Sequence, residues 1–217
     1  MLLGDNSDAT TFDFILPALN NSETHKYIGA VSFHSWRGCD DVTLRKWADA
    51  AKEINVPLLV GEGSTDAAAH GYAEIFNEST FALYEINLYT RICTICQPLS
   101  ILQWQLTSDY SLLWGDGIYG SKGPLRPTQR FWNIKQLAST PADALAIPVS
   151  SSKKNVNCAA FGNMVRGEYA VHMVNNGADC EAVISGIPAE VKKLKVYVTN
   201  TKDCMKETAV KVENGLV

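Results

Sequence analysis

The sequence predicts an α/β layer followed by an all-β layer, and three observations predict it. Apolar runs rich in β-branched and aromatic residues alternate with segments of helical periodicity between residues 27 and 140. Those runs are apolar on both faces, as strands of a parallel sheet covered by helices must be. After Pro141 the hydrophobic period changes to two, with turns roughly every 8 to 12 residues, the pattern of an antiparallel β-sandwich.

Residues 2–7, LLGDNS, read as the end of a strand and the loop that follows it. YIGAVSFH, residues 27–34, is the next strand. In DDVTLRKWADAAKEI, Leu44, Trp47, Ala48, Ala51 and Ile54 share one helical face, Asp40 or Asp41 is the N-cap and Asn55 ends the helix. PLLVGE begins another strand at Pro57. A longer helix is expected over residues 72–96, with Phe76, Thr80, Leu83, Tyr84, Asn87, Leu88, Arg91, Ile92 and Ile95 in the 3.6-residue rhythm and Pro98 as its stop. SILQWQL, residues 100–106, is a further strand, followed by a Gly- and Asp-rich loop over residues 107–127 and a short helix around RFWNIKQLA. ADALAIPV, NVNCAAFG, EYAVHMVN, CEAVISGI and KLKVYVTN are the expected sandwich strands. Residues 1–140 and 141–217 are thus expected as two domains joined by a short linker.

The 217 residues are 46% apolar and 19% charged, with a net charge of −4. Lys and Arg are scattered, so nothing offers phosphates the basic face that nucleic acid requires. No apolar run reaches the roughly 18 residues of a membrane span, and MLLGDNSD lacks the form of a signal peptide. Six cysteines are too sparse for a disulfide scaffold. The CTIC at Cys93 and Cys96 falls inside a helix without a second CxxC, so buried thiols are expected rather than a metal site. No cofactor motif is present: Glu62-Gly63-Ser64 is not a nucleophile elbow, and no G-x-G-x-x-G opens a helix.

Four consecutive strand ends carry polar or aromatic side chains: Asp5-Asn6-Ser7, His34-Ser35-Trp36, Glu62-Gly63-Ser64 and Gln103-Trp104-Gln105. In a closed β/α barrel, groups at these ends face substrate. A bare carboxylate at the end of a buried strand is costly unless it is compensated or performs chemistry. Glu62 is therefore the candidate catalytic carboxylate, with a structural ion pair as the alternative. An indole stacks on the apolar face of a sugar ring, and an ionised carboxylate can attack or stabilise an oxocarbenium centre. Trp104, Trp36, His34 and Asp5 are the candidate substrate contacts, each set against a packing role. The glycines beside Glu62 are expected to admit a bulky ring close to the backbone. Gln103 and Gln105 lie on the face opposite Trp104, and Asp109, Tyr110 and Asp116 are equally explained by a solvated loop.

In this order, LLGDNS, YIGAVSFHSW, PLLVGEGS, SILQWQLTSDYSLL and RFWNIKQLA before a β-sandwich resemble the C-terminal half of retaining glycoside hydrolases of the large (β/α)8, or TIM-barrel, clan. Family 30 is the nearest form. The resemblance implies that the strands present are the end of the fifth and the sixth, seventh and eighth. It makes Glu62 the nucleophile, His34 and Trp36 a motif contacting sugar hydroxyls, and Trp104 the floor beneath the reacting sugar. The position of Trp36 is commonly Tyr in the family. The clan's acid/base glutamate, at the end of the fourth strand, has no counterpart in this chain. The expected protein is thus a half-barrel and a sandwich truncated before its final strand at Gly215-Leu216-Val217, inactive alone. Its expected partner is an oligosaccharide or polysaccharide, with secretion or a periplasmic location favoured by association. Two unpaired strand edges lead to an expectation of dimerisation or poor solubility. The competing expectation is a non-catalytic carbohydrate-binding module acting through Trp104 and Trp36.

Overall fold

The computed structural model describes residues 1–66 and 71–213. β1 (Leu2–Gly4) leads through a 3-10 segment, Ala9–Ile15, and two short helices, α1 (Leu16–Leu19) and α2 (Ser22–His25), to β2 (Ala30–His34). Helix α3 (Asp41–Glu53) connects β2 to β3 (Leu58–Gly63), and α4 (Ser79–Cys96) connects β3 to β4 (Ser100–Gln103). A small antiparallel ribbon, β5 (Leu113–Trp114) with β6 (Arg126–Pro127), precedes α5 (Gln129–Leu137). Strands β1 to β4 form one sheet in chain order, every neighbouring pair parallel, as a segment of a β/α barrel requires.

The core lies between this sheet and its helices. Val31, Phe33, Leu58 and Val60 meet Leu44, Trp47 and Ala51 of α3 and Leu88, Tyr89 and Ile92 of α4. Trp47 is fully buried, yet its Nε1–H is satisfied by the carbonyl of Ala9 at 2.8 Å. Helix α3 starts where Asp40 Oδ1 accepts from the amides of Val42 and Thr43, both at 3.0 Å. It stops where Asn55 takes φ 54°, a left-handed value asparagine tolerates.

Two further sheets follow. β7 (Leu145–Ile147), β8 (Val156–Asn163) and β9 (Glu168–Asn175) form one, and β10 (Lys193–Val198) with β11 (Lys206–Lys211) the other, all antiparallel. The helices hold both. Asn157 Nδ2 donates to Asn87 Oδ1 at 2.6 Å and Thr94 Oγ1 to the carbonyl of Cys158 at 2.8 Å, both from β8 to α4. From α5, Gln136 Nε2 donates to the carbonyl of Tyr197 at 2.9 Å.

Four expectations need correction. The strand expected from residue 27 begins at Ala30, because Tyr27 and Ile28 are occupied in turn bonds, Tyr27 N to Thr24 O and Ile28 N to His25 O. The helix expected from residue 72 begins at Ser79; Ala73–Asn77 is a separate 3-10 turn, and Glu78 breaks the run at ψ 136°. Its buried face is Phe81, Ala82, Glu85, Leu88, Tyr89, Ile92, Cys93 and Cys96, while Leu83 and Tyr84 are exposed. That helix is apolar nearly all round, so periodicity could not choose its face. The strand expected to residue 106 ends at Gln103, since Gln105 instead pairs with its own loop, its carbonyl accepting from Leu112 N at 3.1 Å. CEAVISGI forms no ladder among the described residues; it runs exposed into Gly186 at φ 81° and Pro188. Gly215, Leu216 and Val217, expected to mark a missing strand, lie outside the described residues. No helix among the described residues is long and apolar enough to cross a membrane.

Candidate active site

Glu62 sits at the C-terminal end of β3 directly opposite His34 of β2. The pairing reaches that register through a bulge: Phe33 opposes Val60, then His34 opposes Glu62, skipping Gly61. A second irregularity on the β4 side, between Val60 and Gly63, falls at the same place. The strand thus breaks its alternation on both edges where it presents the carboxylate, and Ser35 N donates to the Glu62 carbonyl at 3.0 Å.

Two side chains meet that carboxylate, and a third, Asp5, lies beyond one of them. Trp36 Nε1 donates to Glu62 Oε2 at 3.0 Å. His34 Nδ1 lies 3.1 Å from the same oxygen, and His34 Nε2 lies 3.3 Å from Asp5 Oδ1. The Nδ1 contact is at ion-pair distance but lacks hydrogen-bond direction, which makes it an electrostatic contact rather than a bond. Ser32, two residues before His34 and so on the same face of β2, donates from Oγ to Asp5 Oδ1 at 2.9 Å. Side-chain exposure falls from 42% at Asp5 to 28% at Glu62 and 13% at His34. Imidazole therefore fills the space between the two acids.

Trp36 is held from its other side by Tyr110, whose ring packs edge-on with centroids 4.6 Å apart. Burial, and secondarily the Asp66 carboxylate, push the Tyr110 phenol above its ordinary range. Asp66 also pairs with Arg37, which it holds firmly in the charged form. Trp104 is set beside the site by its backbone, its N–H donating to the Gly63 carbonyl at 2.8 Å, and its indole is 39% exposed. Four of the five nominated residues, Asp5, His34, Trp36 and Glu62, thus form one contact chain, and Trp104 flanks it.

The glycines do not serve as expected. A Cβ on Gly61 would stand 2.1 Å from Asp5 Oδ1, and one on Gly63 2.6 Å from Ile101 Cγ2 and 2.7 Å from the Tyr89 hydroxyl. The space they leave is filled by the protein's own side chains.

Sequence reasoning missed the buried polar layer beneath the site. Glu85 of α4 and Arg130 of α5 are paired at 2.7 Å, with side chains 1% and 0% exposed. The guanidinium also packs over Phe76 and Phe81, at 4.8 and 5.1 Å from their centroids. The available signal was a lone acid, Glu85, on an otherwise largely apolar face of α4.

The chain matches no protein-family model and no curated protein. It does match a solved structure, the catalytic domain of GH30 xylanase C from Talaromyces cellulolyticus, with a TM-score of 0.64 at 17% sequence identity. The likeness is one of fold. It covers 99% of this chain and 47% of that one, so the chain spans about half the length of its structural neighbour. The parallel four-strand sheet followed by antiparallel sheets accordingly has the arrangement of part of a β/α barrel with its β-sandwich.

Proposed function

We propose that this chain is the nucleophile-bearing part of a retaining glycoside hydrolase. Glu62 attacks the anomeric carbon, expelling the leaving group and forming a glycosyl ester; water then releases the sugar with retention. Trp36 Nε1–H and His34 hold the attacking carboxylate in one rotamer, Asp5, itself bonded by Ser32, flanks His34, and Trp104 offers a stacking face to the sugar ring. The observation that carries this reading is the partly buried carboxylate at a β-strand's C-terminal end, gripped by an indole N–H at 3.0 Å within a barrel-type sheet.

Double displacement needs a second carboxyl about 5 to 5.5 Å from the first, which protonates the leaving oxygen and then activates water. Asp5 does not suit that role, because the His34 ring stands between it and Glu62. The acid/base is assigned to the part of the barrel that this chain does not span. β-Linked xylan is the first substrate to offer, since the structural neighbour is a xylanase.

The test is a 2-deoxy-2-fluoro xylobioside inactivator applied to the protein with a complete barrel, followed by peptide mapping. Esterification of Glu62, and its absence in Glu62→Gln, is the expected result. A label on another carboxylate overturns the assignment. A second reading, a binding module, draws on the exposed Trp104 indole. Calorimetry with xylo-oligosaccharides favours it if Trp104→Ala abolishes binding while no form of the protein hydrolyses sugar.

A further inference from the structure

Five fully buried polar residues lie one step behind the site: Ser35, Ser64, Glu85, Ser111 and Arg130. Their bonds form a closed set. Arg130 has five N–H donors, and each finds an acceptor. Nε and Nη2 grip Glu85 at 2.9 and 2.7 Å; Nη1 donates to the carbonyls of Tyr110 and Ser111, both at 2.9 Å; Nη2 also reaches Ser64 Oγ at 3.4 Å. Ser64 Oγ donates to Glu85 Oε1 at 2.8 Å. Ser35 Oγ donates to the Ser64 carbonyl at 2.6 Å and accepts from Ser64 N at 3.1 Å. On the far side, Gln103 Nε2 spans Glu85 Oε1 at 3.5 Å and the Trp104 carbonyl at 3.0 Å, while its Oε1 accepts from the Tyr89 hydroxyl at 2.6 Å.

Each endpoint adjoins a residue of the site. Ser35 lies between His34 and Trp36, Ser64 is two residues after Glu62, Gln103 precedes Trp104, and Tyr110 packs against Trp36. We propose that the buried Glu85–Arg130 pair is the positioning element of the site, fixing the strand-end loops that carry Trp36, Glu62, Trp104 and Tyr110 relative to one another. Stability alone does not account for such a pair, because well-packed apolar residues of similar volume usually serve as well or better. Apolar residues cannot supply directed bonds to Ser64, Gln103 and the Tyr110–Ser111 backbone at once, nor through Ser64 to Ser35. The pair acts through other side chains, so both members are positioning residues. The proposal rests on Glu62 and Trp36 forming the site, but its test involves no sugar.

The experiment uses the ¹⁵N-labelled chain and the indole N–H signals of its five tryptophans. Trp36 reports the bond to Glu62, and Trp47, bonded to the Ala9 carbonyl in the core, is the internal control. Single replacements strand a buried charge, so the variant is the double change Glu85→Met and Arg130→Met. In that variant the Trp36 signal should move toward the position it takes in Glu62→Gln, and its exchange with water should quicken about tenfold, the factor for losing one charge-assisted bond. Trp47 should stay unchanged. An unmoved Trp36 signal overturns the proposal, and so does an equal disturbance of both signals, which marks a merely structural role. If the double variant does not fold, Ser64→Ala cuts only the link to the Glu62 loop. It must then shift Trp36 and spare Trp47, or the proposal falls. A responsive indole in a protein that hydrolyses no glycoside leaves the positioning role standing and removes only the catalytic one.

Discussion

Replacing Gly61 by alanine puts a methyl group where Asp5 already sits. The added Cβ would lie 2.1 Å from Asp5 Oδ1 and 2.8 Å from Ser32 Oγ, against 3.4 Å for ordinary contact. The carboxylate must retreat by more than an ångström. That movement breaks the 2.9 Å bond from Ser32 and the 3.3 Å approach to His34. Forced overpacking costs about 1 to 3 kcal/mol, and water reaching the half-exposed Asp5 recovers part of the lost bond. The expected destabilisation of Gly61→Ala is therefore about 2 kcal/mol. Urea denaturation followed by tryptophan fluorescence measures it, with the midpoint moving at constant slope. In an Asp5→Ala background the nearest obstacle is removed, and the same substitution should cost less by about 1 kcal/mol or more, a coupling expected of residues in contact. A Gly61→Ala protein within about 0.5 kcal/mol of the parent would refute the account, as would an equal cost in both backgrounds.

Two other outcomes follow from buried titratable groups in the rest of the chain. Burial pulls the His172 imidazole from 6.5 down to about 4, while Thr140 Oγ1 sits 2.7 Å from its Nε2. The unfolded chain takes up that proton first, so stability should fall as pH drops from about 6.5 to about 4 and level off below, by no more than ~3 kcal/mol. His172→Gln should flatten that part of the stability–pH curve; an identical slope in parent and variant would count against it. Burial also pushes the thiols of Cys39, Cys93 and Cys96 up to about 12, whereas Cys180 and Cys204 are exposed. Ellman's reagent should modify Cys180 and Cys204 promptly and reach those three only in denaturant, and prompt modification of Cys93 or Cys96 would contradict the packing of α4.

Much of this was legible in the chain itself, for reasons that can be named. Residues 30–34 and 58–63 are apolar on both faces, which only a helix-covered parallel sheet accommodates, and Asp40 with Asn55 punctuates α3 by its own side-chain chemistry. The ends of these two strands therefore fell where the sequence puts them, with His34 and Glu62 at them. What eluded sequence was whatever depends on three-dimensional neighbours. The bulge at Gly61 has no local signature distinct from any glycine in a strand. The face of α4 turns on Glu85, a charge that looks solvent-bound until Arg130 of a distant helix arrives to meet it. CEAVISGI alternates like a strand, yet among the described residues it pairs with no other strand, and alternation alone builds nothing.

Helix α4 has a consequence for anyone grafting or exchanging parts of this protein. Its inward side carries Glu85 and Tyr89 toward the strand ends, while Asn87 and Thr94 grip β8 of the three-stranded antiparallel sheet. A recombined chain that imports a foreign three-stranded sheet without matching Asn87 and Thr94 would tug on the helix that indexes Glu85. Modules that look separable by their strand pattern are mechanically geared through one rod, and a swap must carry that gearing with it.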